Sequence, residues 1–454
     1  MSNVNQVQSV YERSNIIRIV ILAGIALLLQ IPIGMIEHTI QQRSTTKDEA
    51  VAEVTKKWGQ AQTLIGPMLI VPYHHTIKNV DNPKAPATVV RRQATFLPEH
   101  LQIKGQLGTE TRSRGIFEIP VYQGNIVLEG NFQHPDLSAW QVTPDQILWN
   151  EVKLIVGLSD ARAIQEQVIL RWDDLPLEMQ AGTDRGAIVD SGFHALIPGK
   201  STRPTHTFTI PLRMNGSTSF FVAPLGKESR IALKSDWRDP SFQGNWLPRA
   251  RSVSETGFTA EWMIPSLGRN YPQQWAYDET FTQVVHNSTV GVSFIHAVDP
   301  YRMSERSVKY QILFLVFTFA AIWLFEILAN LKVHPMQYLF IGMALGLFYL
   351  LELSLSEHIG FIPAYGVAST AVVLMVLAYA RVVLRARTRA ALLGGGLALL
   401  YGYLFTLLQE QSYSLLAGSI GLFLALGAVM YLTRNIDWFG IARAPQQSQS
   451  SGSP

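Results

Sequence analysis

The chain has 454 residues, 37 Lys+Arg against 34 Asp+Glu, a formal net charge of +3 and no cysteine. Hydrophobic residues make up 48% and charged residues only 16%, below the roughly 25% charged residues of an average soluble protein. This balance excludes a wholly soluble protein, a pure membrane bundle, a dedicated nucleic-acid binder with a strongly basic face, and any disulfide, thiolate-metal or iron–sulfur chemistry, while the length accommodates two or three domains.

The first apolar run is IVILAGIALLLQIPIGMI, Ile19–Ile36, preceded by Arg13 and Arg18. About 20 apolar residues cross a bilayer, and no small-x-small cleavage site follows, so the run reads as an uncleaved anchor. Residues 37–58 read as a helical stalk, with Ile36, Ile40, Val51, Val54 and Trp58 at helical spacing.

After Gly59 the texture changes to short β-type runs: 64–73, 89–97, 125–132, 151–158, 167–172, 206–213, 219–224, 230–236 and 257–263. Several alternate, as Phe208, Ile210 and Leu212 do against Thr207 and Thr209. Gly/Pro clusters at PEH, NPKAP, IPGK and RDPSFQG punctuate them. The expectation is an all-β sandwich or two packed β units.

No P-loop, dinucleotide fingerprint, nucleophile elbow or HExxH motif occurs, so no catalytic residue, metal site or cofactor is expected. His74 and His75 are neighbours on a strand and point to opposite faces; a solvated strand end is the simpler reading, and His100, His134, His194 and His206 are too scattered for a zinc site. In GLSDARAI (157–164), Asp160 and Arg162 read either as a polar pair at a partner surface or as a device fixing a turn, with Ser159 as a cap or turn residue. The segment WRDPSFQGNWLPRARSV (237–253) reads either as a recognition loop anchored by Trp237, Trp246 and its arginines, or as an ordered connection whose Trp rings plug the sandwich.

Five further apolar runs follow, near 310–329, 336–355, 361–380, 390–408 and 414–432. The expected fold class is therefore membrane α + β: six transmembrane helices, one N-terminal and five C-terminal, with a large sandwich-like β domain between the first and second. The expected parts are a cytoplasmic N-terminus (1–18), an anchor (19–36), a periplasmic domain with its stalk (37–309), a five-helix bundle (310–432) and a cytoplasmic tail (433–454). If the spans alternate, Arg13, Arg18, Lys332, Arg381, Arg385, Arg387, Arg389, Arg434 and Arg443 fall on one side, whereas the opposite short loops, with Glu357 and Glu410, hold no Lys or Arg. By the positive-inside rule both termini lie in the cytoplasm.

Within the spans, Glu326 and Glu352 stand out. Each sits about a turn from a span end, so snorkelling or helix pairing competes with a proton or substrate path, in which Glu352 and His358 would line the route. Gly394–Gly396 are positioned to break the fifth span. Gly342 and Gly346 form a GxxxG, and Ala417, Gly421 and Ala425 a small-residue stripe, both suited to helix packing. Tyr338, Tyr413 and Trp438 suit interfacial belts. The tail APQQSQSSGSP reads as low-complexity and disordered.

Six segments together carry a resemblance: LIGPMLIVP (64–72), Gly157–Arg162, WRDPSFQGNWLPRARSVSETGF (237–258), HPMQYL (334–339), LSLSEHIGF (353–361) and TRNIDW (433–438). Through them the chain resembles the CreD family of Gram-negative inner-membrane proteins. The resemblance implies a periplasmic domain, a link to cell-envelope integrity and induction under envelope or β-lactam stress, and it brings no catalytic residue with it. The resulting expectation is a non-enzymatic envelope protein that contacts the lipid bilayer and an envelope protein or other envelope component. A transporter or lipid-handling protein and a membrane-anchored periplasmic hydrolase are the alternatives.

Overall fold

The structure is a computed structural model describing residues 2–77, 88–183, 191–198, 203–276, 280–294, 299–329, 331–409 and 414–434, with residues 2–16 described as backbone alone. The NPKAP cluster, Gly199 and Lys200, Glu410, Tyr413, Trp438, Arg443 and the Gln/Ser tail lie outside the described residues. The chain divides into two compact units: Met1–Thr46 with Val298–Pro454, which is helical, and Lys47–Ala297, which is mainly β.

Helix α1 (Ser2–Trp58), whose residues from Lys47 on are counted with the β unit, runs unbroken through Pro32, so anchor and stalk are one helix. The other helices outside the β unit are α3 (Pro300–Lys309), α4 (Gln311–Leu328), α5 (Pro335–Ile359), α6 (Phe361–Val383), α7 (Arg387–Gln409) and α8 (Ser414–Thr433). All six expected apolar runs fall on helices. Ile17–Trp58, α5, α6 and α7 are each long and apolar enough to cross a membrane; α3 and α4 reach that length only together, bent by 42°, and the apolar part of α8, Leu416–Tyr431, is shorter. The expected break at Gly394–Gly396 does not occur: α7 is continuous, because a helix among packed neighbours tolerates glycine. The GxxxG does pack: a Cβ on Gly342 would run into Leu29, Phe319 and Leu315, and Gly346 faces Ile33. It is therefore the seat of α1 on α5.

The turn between α4 and α5 explains HPMQYL. The His334 side chain accepts from the Met336 N–H, Gln337 reaches back to the His334 N–H at 3.0 Å, and Pro335 occupies the first helical position, where its missing N–H costs nothing. At the other end Gly360, at φ 80°, terminates α5 and starts α6, a backbone conformation suited to glycine.

The β unit is built from β1 (Gln62–Ile77), β2 (Thr88–Phe96), β3 (His100–Arg114), β4 (Phe117–Gln133), β5 (Lys153–Leu158), β6 (Ile169–Trp172), β7 (Leu175–Glu178), β8 (Gln180–Ala181), β9 (Gly192–Leu196), β10 (Thr205–Ser217), β11 (Ser219–Val222), β12 (Glu228–Ser235), β13 (Pro240–Gly244), β14 (Ala250–Ser254), β15 (Gly257–Pro265), β16 (Gln274–Ala276) and β17 (Val290–Phe294), plus the short helix α2 (Thr280–Asn287). One sheet runs β13-β17-β11-β1-β5-β9-β8, with β2 and β16 branching from β1; the other runs β14-β15-β12-β3-β4-β10-β6-β7. The β1–β11 and β3–β12 pairs are parallel and the rest antiparallel.

Inward residues of both sheets, among them Leu64, Met68 and Phe220 of the first and Ile103, Leu128 and Phe208 of the second, share one apolar core. Each of the nine expected β runs overlaps a strand, but β3, the first half of β4 and several short strands were not expected. The inner face of β3 reads Leu101, Ile103, Gly105, Leu107. Gly105 interrupts the apolar alternation because the Ile126 and Leu233 side chains occupy the place of its Cβ.

Candidate functional site

Asp160 is a joint of the β unit. It caps a single helical turn (Ala161–Ala163), accepts from the Arg162 Nε at 2.8 Å and is nearly buried, whereas Arg162 is largely exposed. Gln62 brackets the same residue, its Oε1 accepting from the Asp160 N–H and its Nε2 donating to the Asp160 carbonyl. Ser159 does not cap this turn; its hydroxyl accepts from the Thr63 N–H and donates to the Ala61 carbonyl. Burial pushes the Asp160 carboxyl up, but hydrogen bonds from Arg162 and the Gln60 N–H, with the guanidinium charge, outweigh it and hold the group below the usual carboxylate range.

Among the described residues no three His, Asp or Glu are placed to hold an ion. His206 instead bonds Asp173 at 2.6 Å and stacks on Trp172, and His134 stacks on Trp149. Burial, with His206 nearby, pushes the His134 ring below its usual range.

The segment 237–254 forms one rim of the sandwich. Its β13 is the outermost strand of one sheet and its β14 the outermost strand of the other. Trp237 packs edge-on against Phe294 and donates to the Asp239 carbonyl. The carbonyl of Trp246 accepts from the buried Trp262 indole at 3.0 Å, and its ring lies against Gly268. Both rings therefore plug the rim, while the leucines beside the Trp246–Gly268 contact point outward: Leu247 is 72% exposed and Leu267 97%. Every residue of β14 is exposed. The other sheet ends are blunted: β7 carries Pro176, β8 has two residues and β13 begins with Pro240.

In the helical unit two carboxylates act as clamps. Glu326, on α4, accepts from Arg18 at 2.6 Å, from the Val333 N–H and from the Tyr338 hydroxyl, each at 3.2 Å. Glu357, near the end of α5, accepts two bonds from Arg43 at 2.7 and 2.6 Å and one from Tyr301 at 2.8 Å. Arg18 and Arg43 are 25 residues apart on α1, about 37 Å along the axis, so the two clamps bracket a span somewhat longer than the ~30 Å hydrocarbon core of a bilayer. Glu352 is fully buried, with Ser304 donating to one oxygen at 2.6 Å. His358 is exposed and sits about 120° around the helix from Glu352, so the two occupy different faces of α5.

Arg43, Tyr301 and Leu267 were not singled out by the sequence. Arg43 and Tyr301 lie 314 and 56 residues from their shared partner, and no local pattern links them. Tyr349, Tyr365 and Tyr401 did carry a signal: a tyrosine well inside an apolar span needs a partner for its hydroxyl.

A sequence model of the family described as "Inner membrane protein CreD" matches residues 14–439. The protein of that name from Escherichia coli (strain K12) is 31% identical over 429 residues, 93% of each chain. Among solved structures, a point mutant of an M1 zinc metallopeptidase from Deinococcus radiodurans overlaps 44% of this chain and 42% of its own at 9% identity and TM-score 0.18. Leukotriene A4 hydrolase from Saccharomyces cerevisiae overlaps 44% and 29% at 9% identity and TM-score 0.17. Scores this low carry no argument about fold or chemistry.

Proposed function

The chain belongs to the CreD family of inner-membrane proteins, and from that premise we propose that it serves cell-envelope integrity by binding rather than catalysis, docking a protein partner on the rim of its β unit. One observation carries the reading: β14 is a five-residue outermost strand without proline, every residue exposed, beside two outward leucines. An outermost strand offers unpaired backbone groups to an added strand, and neighbouring apolar side chains supply the anchoring area. Arg251 lies in the strand and Arg249 just before it, favouring an extended segment of neutral or acidic character.

The test is a photo-crosslinker at position 267 of the full-length protein in native membranes. A single discrete protein adduct is expected, reduced about tenfold or more by Leu247→Ser with Arg251→Glu, while the melting of the β unit stays close to wild type because both positions are exposed. Adducts with lipid or glycan alone, or a protein adduct indifferent to those changes, would turn the reading toward the lipid-handling or hydrolase alternatives.

The proposed topology places both termini in the cytoplasm, the β unit in the periplasm and six spans between them. It rests on the one-sided distribution of basic residues and on the spacing of the Arg18 and Arg43 clamps. Alkaline phosphatase fused after residue 150 is expected to be active and fused near Arg385 inactive; the reverse pattern would invert the orientation.

A further inference from the structure

Strands β14 and β15 are joined by a two-residue loop, Glu255 and Thr256, with Ser254 directly opposite Gly257. A pair that closes so tight a hairpin exchanges both of its backbone hydrogen bonds, and along an antiparallel ladder such pairs alternate with pairs that exchange none. Ser252–Thr259 and Ala250–Glu261 are therefore bonded pairs as well, whereas Arg251–Ala260 and Val253–Phe258 are not. At the far end the Arg249 N–H also donates to the Glu261 carbonyl, at 2.7 Å, so two residues face one and the regular edge stops there. The N–H and C=O groups of Arg251 and Val253 thus point away from β15, toward the open side of an outermost strand.

The same two residues share a face. Arg251 lies opposite Ala260 and Val253 opposite Phe258, both of them buried, and directly paired residues project to one side of a sheet. Arg251 and Val253 therefore stand on the core side, beyond the point where the other sheet covers it: Val253 is 50% exposed. Phe258, beside it, packs edge-on with Phe242 at 5.5 Å between centroids. Arg251 is exposed and makes no ion pair or side-chain hydrogen bond among the described residues. The nearest acid along β15, Glu261, alternates with the buried Ala260 and so projects from the opposite face. Two alternate positions thus combine open backbone groups with one uncompensated cation and one uncovered apolar side chain.

On the reading of this rim as a protein-docking edge, we infer that its occupant is an extended strand, antiparallel to β14, that carries an apolar residue and, two positions later, a carboxylate: the apolar residue opposite Val253 and the acid opposite Arg251. The spacing of two keeps both on the core-side face, and the apolar residue comes first because Val253 follows Arg251 on β14. The antiparallel orientation is the one in which backbone exchange and side-chain pairing fall on the same two residues. Backbone bonds then supply the affinity and the two side chains the choice of partner.

The test selects short peptides from a randomised display library on the full-length protein in nanodiscs. On wild type the enriched peptides are expected to share an apolar residue two positions before an aspartate or glutamate. On Arg251→Glu, an exposed change that the fold tolerates, lysine or arginine should take the place of the acid. By fluorescence polarisation, a peptide selected on wild type should bind Arg251→Glu about fivefold or more weakly, the size expected when a cross-strand pair turns from opposite to like charge. Methylating the backbone nitrogen of its acidic or its apolar residue should cost about tenfold or more, and methylating the nitrogen between them, which points away from β14, markedly less. No enrichment, an enriched pattern that Arg251→Glu leaves unchanged, or methylation costs indifferent to position each overturn the inference. If the position-267 adduct then still forms and still depends on Leu247 and Arg251, the docking edge stands and only the character of its occupant is wrong; if that adduct is absent too, the docking edge fails with it.

Discussion

Arg18→Ala is expected to destabilise the helical unit by about 1–3 kcal/mol, because it leaves the buried Glu326 carboxylate without its charged partner, although Arg18 itself is 40% exposed. Glu326 is only 6% exposed, and what would remain to it is the Val333 N–H and the Tyr338 hydroxyl, both at 3.2 Å. Those two neutral donors do not replace a charge-assisted bond of 2.6 Å. The loss should appear as a lower melting temperature of the full-length protein in nanodiscs. Adding Glu326→Gln to Arg18→Ala should recover most of it, since the amide carries no charge to strand, its oxygen can accept from the Val333 N–H and its NH2 can donate to the Tyr338 hydroxyl oxygen. This recovery separates the electrostatic cost from the loss of Arg18 packing. If Arg18→Ala melts like wild type, the clamp does not hold α1 to α4, and the bracketing of the span by two ion pairs loses one of its ends.

The positions of the helices were legible because apolar runs of that length have one reading, and each expected run falls on a helix. How each helix meets its neighbours was less so. Glu326 drew attention as an acid in an apolar run, yet its partner Arg18 lies 308 residues away and reads locally as a flank of the anchor. HPMQYL was visible as a motif, and its cap-and-clamp geometry follows only once Tyr338 is seen on Glu326. In the β unit the alternating strands β10 and β12 were readable, whereas β3 was hidden: its inner face has a glycine where larger neighbours fill the space, and its second half, from Thr109 to Arg114, is polar and outward. The rim segment 237–254 stood out by composition, but that it forms the outermost strand of both sheets is a matter of long-range pairing with β17 and β15.

Tyr122→Ala should cost the β unit about 3–5 kcal/mol, and the reason lies in where the ring sits. Tyr122 is on β4, directly opposite Gly216 of β10. Its ring covers that glycine, so a Cβ on Gly216 would overlap the phenol. From there it reaches across to the other sheet, meeting Phe220 and Phe294 at 6.3 and 5.2 Å between centroids and donating its hydroxyl to the Ser219 carbonyl at 3.0 Å. One side chain thus joins both layers, and truncation opens a void between them. Tyr122→Phe keeps the ring and loses only the hydrogen bond, so about 1 kcal/mol is expected. Gly216→Ala should destabilise wild type by overpacking, on the order of 1–3 kcal/mol, but should do markedly less harm in the Tyr122→Ala background, where its methyl enters the vacated space. Urea unfolding of the β unit, followed by tryptophan fluorescence, measures all four. Additive costs for Gly216→Ala and Tyr122→Ala would show that the two positions do not share that space, since coupling between contacting residues is what non-additivity reports.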